Sequence, residues 1–328
     1  MVYHRKKQVR SITLWGNGEA MEEYTFEDAI ANSVVTCSYP GLEAVSVTGD
    51  VGDSSCASVF FPGCSLINYA MPLVQSIFDL LKGAGEVDGQ SLLCCGKILE
   101  YEGDGGVARA AFEQQFRDRI SQTNIKRIVT ACPNCTHALR NLLAAEEATS
   151  SIEVVPLPRV LVDMGYRVDS ETAAAMARGR GAADEAEPVV FCPKDSCPDR
   201  QIGEFADALR EIMGECQIVE PKFARNRSYC CGSRPRAAGH YDLGDKMARR
   251  HGAHAREAGA NAIVTPCISC TFSLFGSGCE VPVFHYLELL FDWEIPWGIT
   301  EGYLKLRFLF EDAQAGRDVR SYMGLESS

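Results

Sequence analysis

Ten of the fifteen cysteines in this 328-residue chain fall into two copies of one arrangement. Each copy has a single Cys, then an adjacent Cys-Cys-Gly, and then a Cys-x-x-Cys. We call the copies the first thiol set, Cys64, Cys94, Cys95, Cys132 and Cys135, and the second thiol set, Cys197, Cys230, Cys231, Cys267 and Cys270. Thiolates are soft ligands that favour zinc, copper(I) and iron–sulfur clusters over magnesium or calcium. Two sets of five thiols in matching order predict two soft-metal sites.

The number of thiols in each set bears on which metal it would bind. Structural zinc typically takes four ligands, so a single zinc ion would leave one thiol of each set spare. A multi-iron cluster can take thiolates from several separate loops. Gly96 and Gly232, which follow the adjacent pairs, would let the backbone pass close to such a cluster and offer an N–H donor. A cluster is therefore favoured, and structural zinc without redox activity is the alternative; a metal-free thiol–disulfide protein is a third interpretation.

Charge and composition narrow the class of partner. The formal net charge of −12 disfavours nucleic acid or an anionic membrane as the main partner. No apolar run approaches the ~18–20 residues that a transmembrane helix needs, and the N-terminal residues do not form a secretory signal. A cysteine-rich chain of this kind is expected to be cytoplasmic, where thiols stay reduced and serve metal or redox chemistry.

The elements that must position these cysteines alternate between strand and helix. Strands are predicted over residues 59–61, 127–130, 152–156, 189–191, 262–265 and 280–284. Helices are predicted over residues 71–81, 107–120, 134–145, 158–164, 201–213, 243–257 and 286–293. Strands separated by helices favour parallel βαβ units. The cysteines would then lie in loops where strands end and helices begin, which is where open α/β sheets usually build their sites.

The duplication extends beyond the cysteines, since RIVTACPNCT at 127–136 matches AIVTPCISCT at 262–271. We predict an α/β protein with two pseudo-repeated βαβ-type domains and cysteine-bearing loops at the strand ends. The predicted division is an N-terminal extension at 1–55, a first domain at 56–165, a linker at 166–187, a second domain at 188–293 and a C-terminal tail at 294–328. The linker segment is rich in Ala, Gly and charge and has room for one short helix.

The pattern resembles the CCG, or cysteine-rich, domain that occurs twice in one of the subunits of heterodisulfide reductase and in related iron–sulfur oxidoreductase subunits. The resemblance covers residues 56–293 and includes FFPGCSL at 60–66, LCCG at 93–96 and KDSCPDR at 194–200. It implies that each domain is a CCG domain holding a [4Fe–4S] cluster, either cubane or of the non-cubane kind seen in heterodisulfide reductase. The implied ligands are the first thiol set for one cluster and the second thiol set for the other.

The resemblance also implies a function. The chain would be the iron–sulfur subunit of a soluble oxidoreductase that either reduces a disulfide-type substrate or relays electrons to or from a partner dehydrogenase. We find no ferredoxin-type cysteine run, dinucleotide fingerprint or flavin motif, so a ferredoxin-type or flavoprotein redox subunit is the expected partner. Relatives often carry His just before the cysteine equivalent to Cys197, where this chain has Lys194. That departure bears on the catalytic role of the second site more than on cluster binding.

The other cysteines are interpreted as non-ligands. Cys37, Cys216 and Cys279 have no counterpart in the other copy and are interpreted as small apolar residues. Cys56 and Cys192 each lie near the first ligand of their copy, and Cys192 is aligned with Phe61 in the strand. An Arg-rich stretch, residues 225–250, surrounds the second Cys-Cys-Gly and is interpreted as a solvated face. The alternative is that its cations offset a negatively charged cluster or guide an anionic substrate or an acidic redox partner.

Overall fold

The computed structural model describes residues 11–16, 19–20, 34–38, 45–48, 56–92, 94–97, 105–295 and 297. The chain divides into two compact units. The first unit contains Met1–Ala131, Ala138–Val155 and Ile295–Ser328, and the second contains Cys132–His137 and Pro156–Glu294. The first repeat's Cys-x-x-Cys therefore belongs to the second compact unit. Among the described residues, no helix is long and apolar enough to cross a membrane.

The first unit begins with an antiparallel sheet that the sequence analysis did not predict. Its strands are β1 (Ser11–Gly16), β2 (Glu19–Ala20), β3 (Val34–Ser38) and β4 (Val45–Thr48), in the order β2-β1-β3-β4. All three pairings are antiparallel. The sequences VVTCS and VSVT are rich in β-branched residues, which suits them to strands, but they carry no repeat signal.

A parallel sheet carries the first repeat. Its strands are β5 (Ser58–Phe61), β6 (Gly89–Gln90), β7 (Arg127–Thr130) and β8 (Glu153–Pro156), in the order β6-β5-β7-β8. β5 runs parallel to both β6 and β7. Val59, Phe60 and Phe61 are all buried, as expected of a strand that is covered on both faces. The predicted parallel α/β fold of this repeat is confirmed.

Three helices accompany this sheet: α1 (Cys64–Gly83), α2 (Gly105–Ile120) and α3 (Pro133–Leu143). α1 is broken at Ala70, whose φ of −147° and ψ of 45° are not helical. Pro72 lies two residues further on and suits the first turn of the second segment, because proline there loses no helical hydrogen bond. The predicted helix at 71–81 is that second segment, and the first segment, which begins at Cys64, was missed.

A second parallel sheet carries the second repeat. Its strands are β9 (Phe191–Pro193), β10 (Ala262–Thr265) and β11 (Val283–His285), in the order β11-β10-β9. An isolated parallel bridge joins Phe191 to Ile218, in the position that β6 occupies beside β5. The predicted strand at 189–191 was two residues too early. Pro193 is the last residue of the strand and lies opposite Val264, where a proline can still pair through its carbonyl group.

The second unit contains several helices. They are α4 (Leu157–Asp163), α5 (Ser170–Gly179), α6 (Glu204–Ile212), α7 (Ser233–Ala237), α8 (Tyr241–Glu257), α9 (Ile268–Gly276) and α10 (Tyr286–Leu290). α5 lies in the segment predicted as a linker. It buries Ala173 and Ala177 completely, and the carboxylate of Asp169 caps it by accepting a hydrogen bond of 2.8 Å from Thr172 N. This segment is therefore part of a packed core.

The two sheets match in register, which corrects one alignment. Val59 lies opposite Ile128 and Phe61 opposite Thr130, whereas Cys192 lies opposite Ile263. Since RIVT of β7 corresponds to AIVT of β10, Cys192 takes the position of Val59. The alignment of Cys192 with Phe61 was wrong by two residues. The position of Phe61 belongs to Lys194, and each of these residues stands three residues before the first cysteine of its set.

Candidate metal centre

The strand ends position the thiols in both repeats. Cys64 and Cys132 follow closely after β5 and β7, which run parallel and therefore end at the same edge of their sheet. Cys197 and Cys267 follow β9 and β10 in the same way. Cys64 is the first residue of α1, and Cys267 is the N-terminal cap residue of α9. The cysteines thus lie at the strand-to-helix turns, as predicted.

All five thiols of the second set come together. Hydrogen bonds connect them in the order Cys197, Cys230, Cys231, Cys270 and Cys267. Cys231, Cys267 and Cys270 are buried, and the other two are half-buried. No disulfide bond joins the cysteines of the described residues. The second thiol set is therefore one continuous, reduced group of sulfur atoms drawn from three loops.

The thiol of Cys230 is the acidic member of this group. Hydrogen bonds from Cys197 and Cys231 hold the pKa of Cys230 far below its usual range. The same bonds raise the pKa of Cys197 and Cys231, and burial raises both further. The backbone N–H of Gly232 also donates to Cys230 Sγ at 3.4 Å. Cys230 is therefore the position at which this group most readily carries a thiolate.

A buried ammonium group lies against these thiols. Lys194 is only 5% exposed, and its Nζ donates to the carbonyl oxygens of Asp195 at 2.7 Å and Tyr229 at 3.3 Å. Nζ also lies 3.8 Å from Cys270 Sγ. Burial disfavours the charged form, but the charges of the surrounding cysteines outweigh it and raise the pKa of Lys194 above its usual range. The sequence pattern marked Lys194 only as a departure from relatives.

An imidazole supports the loop that carries Cys230. His251 Nε2 donates to the Cys230 carbonyl oxygen at 3.1 Å, and its ring stacks on Tyr229 with centroids 4.0 Å apart. Burial, followed by the charge of Lys194, lowers the pKa of His251 to about 3. The imidazole is therefore neutral at physiological pH. The sequence pattern did not reveal His251 because it lies on α8, far along the chain from the thiol that it supports.

The two glycines predicted to contact a cofactor have backbones that other residues rarely adopt. Gly96 has a φ of +67° and Gly232 a φ of +102°. A Cβ on Gly96 would stand 2.5 Å from the ring of Phe112, and one on Gly232 would stand 2.3 Å from the carbonyl oxygen of Gly244. Both positions therefore require glycine for the turn itself, and at Gly232 the turn aims an N–H at a thiol sulfur.

Three members of the first thiol set also come together. Cys94 hydrogen-bonds to Cys64 and to Cys95, and these bonds, with burial, raise the pKa of Cys94 well above its usual range. The guanidinium of Arg109 donates to the Cys95 carbonyl oxygen at 3.3 Å and forms an ion pair with Glu113.

Cys132 has a neighbour in the other set. It belongs to the second compact unit, and its thiol hydrogen-bonds to Cys267, which raises the pKa of Cys267. The predicted grouping put Cys132 with the first set on the basis of sequence order. In the structure the chain of thiols in the second unit continues through Cys267 to Cys132, so six sulfur atoms are linked there.

Two cysteines outside the thiol sets are also buried. Cys192 is buried in β9 and lines a small cavity together with Lys194, Ser228 and His251. Burial raises its pKa to about 12, and burial likewise raises the pKa of Cys216 to about 11. Neither thiol belongs to the hydrogen-bonded group of the second set as the described residues form it. Their assignment as non-ligands stays a prediction.

The chemistry of the thiol sets determines which metal they fit. As the side chains stand, no group of three or more His, Cys, Asp or Glu residues among those described is arranged to hold a metal ion. The thiols instead hydrogen-bond to one another, which is the protonated form of a thiolate ligand set, and metal binding would release those protons. A buried ammonium beside them is stable only next to negative charge, such as ligated thiolates carry. The donor chemistry therefore fits a soft metal or an iron–sulfur cluster.

Two parallel α/β repeats with thiols at their strand ends define a cysteine-rich protein with a metal- or iron–sulfur-binding role. The cysteine-rich CCG domain matches residues 58–140 and 195–275, which together make up half of the chain and contain all ten predicted ligands. The chain belongs to the CCG cysteine-rich domain family. This confirms the predicted CCG repeats.

Similarity to other known proteins is weak. No curated protein matches the chain. Among solved structures, a glutamate racemase (isoform RacE1) from Bacillus anthracis is 11% identical with a TM-score of 0.32, covering 73% of this chain and 79% of its own. An aspartate racemase from Picrophilus torridus is 11% identical with a TM-score of 0.31, covering 76% of this chain and 99% of its own. Similarity at this level carries no argument about function.

Proposed function

We propose that this chain is the iron–sulfur subunit of an oxidoreductase and carries two [4Fe–4S] clusters. One observation supports the proposal most: five thiols from three loops form one hydrogen-bonded group, and a buried ammonium contacts one of them, Cys270. Structural zinc needs only four ligands, and its sites are usually made of two short-spaced pairs. A set of five thiols is better matched to a cluster with several iron corners.

The residues have distinct roles in this proposal. The first thiol set would hold one cluster and the second thiol set the other, which requires Cys132 to give up its hydrogen bond to Cys267. Each bound cluster would supply electron transfer. The buried sulfur atoms of Cys231, Cys267 and Cys270 keep water away from the second site. Gly232 N–H and Lys194 Nζ supply hydrogen bonds to sulfur, at Cys230 and Cys270 respectively.

A separate redox protein is part of the proposal. The sequence shows no motif for a flavin or a nicotinamide nucleotide, so we propose a ferredoxin-type or flavoprotein subunit as the electron partner, in the cytoplasm. The chain would either reduce a disulfide-type substrate or relay electrons to or from a partner dehydrogenase. Arg249 and Arg250 are exposed on α8 and could guide an acidic partner, whereas Arg225 and Arg236 are engaged by Asp207 and Asp245.

The test compares two cysteine variants purified without oxygen. Cys231→Ser removes a buried thiol at the centre of the second set, and we expect it to lose about four iron and about four sulfide per chain. Cys216→Ser is the matched control, because Cys216 is also buried but lies outside both sets. It should keep the iron and sulfide of the unchanged protein, as measured by colorimetric iron and acid-labile sulfide analysis.

Two results would contradict the proposal. Equal iron loss in both variants would show that the ligand assignment is wrong. Zinc without sulfide in the unchanged protein would support a structural zinc protein instead.

A further inference from the structure

We propose that Lys194 makes the second site the electron-accepting one, by raising the reduction potential of the cluster held there above that of the first. The inference rests on the proposed function and deepens it, since it assigns a charge-supplying residue to one of two otherwise similar sites. In this role Lys194 is a tuning residue that acts on the ligand sulfur atoms.

The contacts of Lys194 fix its charge beside the thiols. Two carbonyl oxygens, of Asp195 and Tyr229, hold Nζ at 2.7 and 3.3 Å, and the third contact is Cys270 Sγ at 3.8 Å. Tyr229 directly precedes Cys230, so the ammonium is anchored to the loop of one ligand pair while it lies against a ligand from another loop. The charge of an exposed lysine would be screened by water and salt. Lys194 is buried, so its charge is screened much less.

The carboxylate next to Lys194 in the chain is engaged by other groups. The carboxylate of Asp195 is turned to Arg210, which donates to its two oxygens at 2.8 and 3.0 Å, and to the backbone N–H of Arg225 at 2.6 Å. Within the described part of the chain, no carboxylate forms an ion pair with Lys194. The positive charge of Lys194 therefore acts on the thiol group.

The first repeat has no equivalent cation at this position. The residue in the matching register is Phe61, which is buried and apolar. Arg109 does reach the Cys95 carbonyl oxygen, but Glu113 pairs with its guanidinium and offsets its charge. At this register position the two repeats therefore differ by one positive charge.

A buried positive charge stabilises the state of a cluster that carries one more electron. Net charge and hydrogen bonds to sulfur are among the properties that set cluster potentials, and low local dielectric strengthens both. When an external one-electron donor, of the ferredoxin type in the cell or dithionite in a titration, is oxidised, its electron should go to the second cluster first.

The experiment is a redox titration of the anaerobic protein, followed by electron paramagnetic resonance. Lys194→Met removes the charge and keeps most of the stem. It should lower the equilibrium constant for one-electron reduction of the second cluster at least tenfold, a fall of about 59 mV or more, and leave the first cluster unchanged. Lys194→Arg should retain most of the potential. Lys222→Met, the same exchange at an exposed lysine, should shift neither cluster.

Several results would overturn the inference. An unchanged second potential in Lys194→Met, or equal shifts in both clusters, would show that Lys194 does not tune this site. If Lys194→Met does not assemble the second cluster, the test is the order of the two reduction potentials in the unchanged protein. The signal of the second cluster is then identified as the one that Cys231→Ser lacks. A second cluster at a potential equal to or below the first would then refute the inference. Absence of iron and sulfide from the unchanged protein would refute the proposed function itself.

Discussion

The turn at Gly232 links backbone geometry to thiol chemistry within a few residues. Its N–H donates to Cys230 Sγ, which lowers the pKa of that thiol together with the bonds from Cys197 and Cys231. The same glycine approaches Gly244 of α8 so closely that neither position has room for a side chain. A small residue here is therefore required by conformation and by packing, and the donor to sulfur depends on both.

We predict that Gly232→Ala destabilises the protein by about 2–6 kcal/mol. Strain at a φ of +102° costs about 1–3 kcal/mol for a residue with a Cβ. Overpacking against Gly244 costs about 1–3 kcal/mol more. Urea unfolding and iron content would be measured together, and the iron of the second site should fall while that of the first is retained.

Gly239→Ala provides the control for this prediction. Gly239 also has a positive φ, +81°, but an added Cβ there would meet nothing within 4 Å. Gly239→Ala should therefore lose only the stability that backbone strain costs, and it should keep its full iron content. If the two variants lost equal stability and equal iron, close approach at Gly232 would have no special role.

The junction between β11 and α10 shows how an element end is held in the second unit. The Nδ1 of His285 accepts from Leu287 N at 3.4 Å, and Glu288 Oε2 accepts from His285 N at 2.8 Å, which forms a capping box. Glu288 is fully buried, and Arg180 at the end of α5 pairs with it at 2.5 Å. Arg180 also lies over the ring of Phe284. The predicted linker helix is thereby fastened to the edge strand.

We predict that His285 makes the protein less stable in acid. Burial lowers its pKa from 6.5 to about 3, so the folded state keeps the ring neutral while the unfolded state binds a proton. The free energy of unfolding should therefore fall as the pH drops below 6.5, by up to about 1.4 kcal/mol per pH unit from this group. His285→Asn should flatten that slope in urea titrations between pH about 7 and about 5.

The exposed His240 supplies the comparison for this measurement. His240→Asn should keep the slope of the unchanged protein. The carboxylates and His251 are present in the unchanged protein and in both variants. Their contributions to the slope therefore cancel when the slopes are compared. A slope that is the same in His285→Asn and the unchanged protein would contradict a neutral, buried His285.

Most elements near the site could be predicted from periodicity and repetition, but their electrostatics could not. RIVT and AIVT marked β7 and β10 with the right ends, and apolar spacing marked α2 and α8. The strand β9 was predicted two residues too early, at the apolar run of residues 189–191. Lys194 and His251 were missed because their importance depends on which loops fold against them, and sequence spacing carries no information about that. The N-terminal sheet had no repeat partner to reveal it.

Over the whole molecule, a duplicated topology carries two unlike sites. Both repeats place their thiols at the carboxyl edge of a parallel sheet, yet one has Phe61 where the other has Lys194. The grouping of the thiols also differs from their order in the sequence. Cys132 comes from the first repeat but hydrogen-bonds to Cys267 in the second unit. Duplication followed by divergence of local charge is a simple way to give two similar sites different affinities for an electron.

The central claim is that these thiols hold iron–sulfur clusters, and the most direct test is the content of iron and acid-labile sulfide per chain after purification without oxygen. We predict about eight of each, which corresponds to two [4Fe–4S] clusters. Zinc near two per chain with no sulfide would contradict the account and indicate a structural protein. Reduced thiols with no metal at all would contradict it equally.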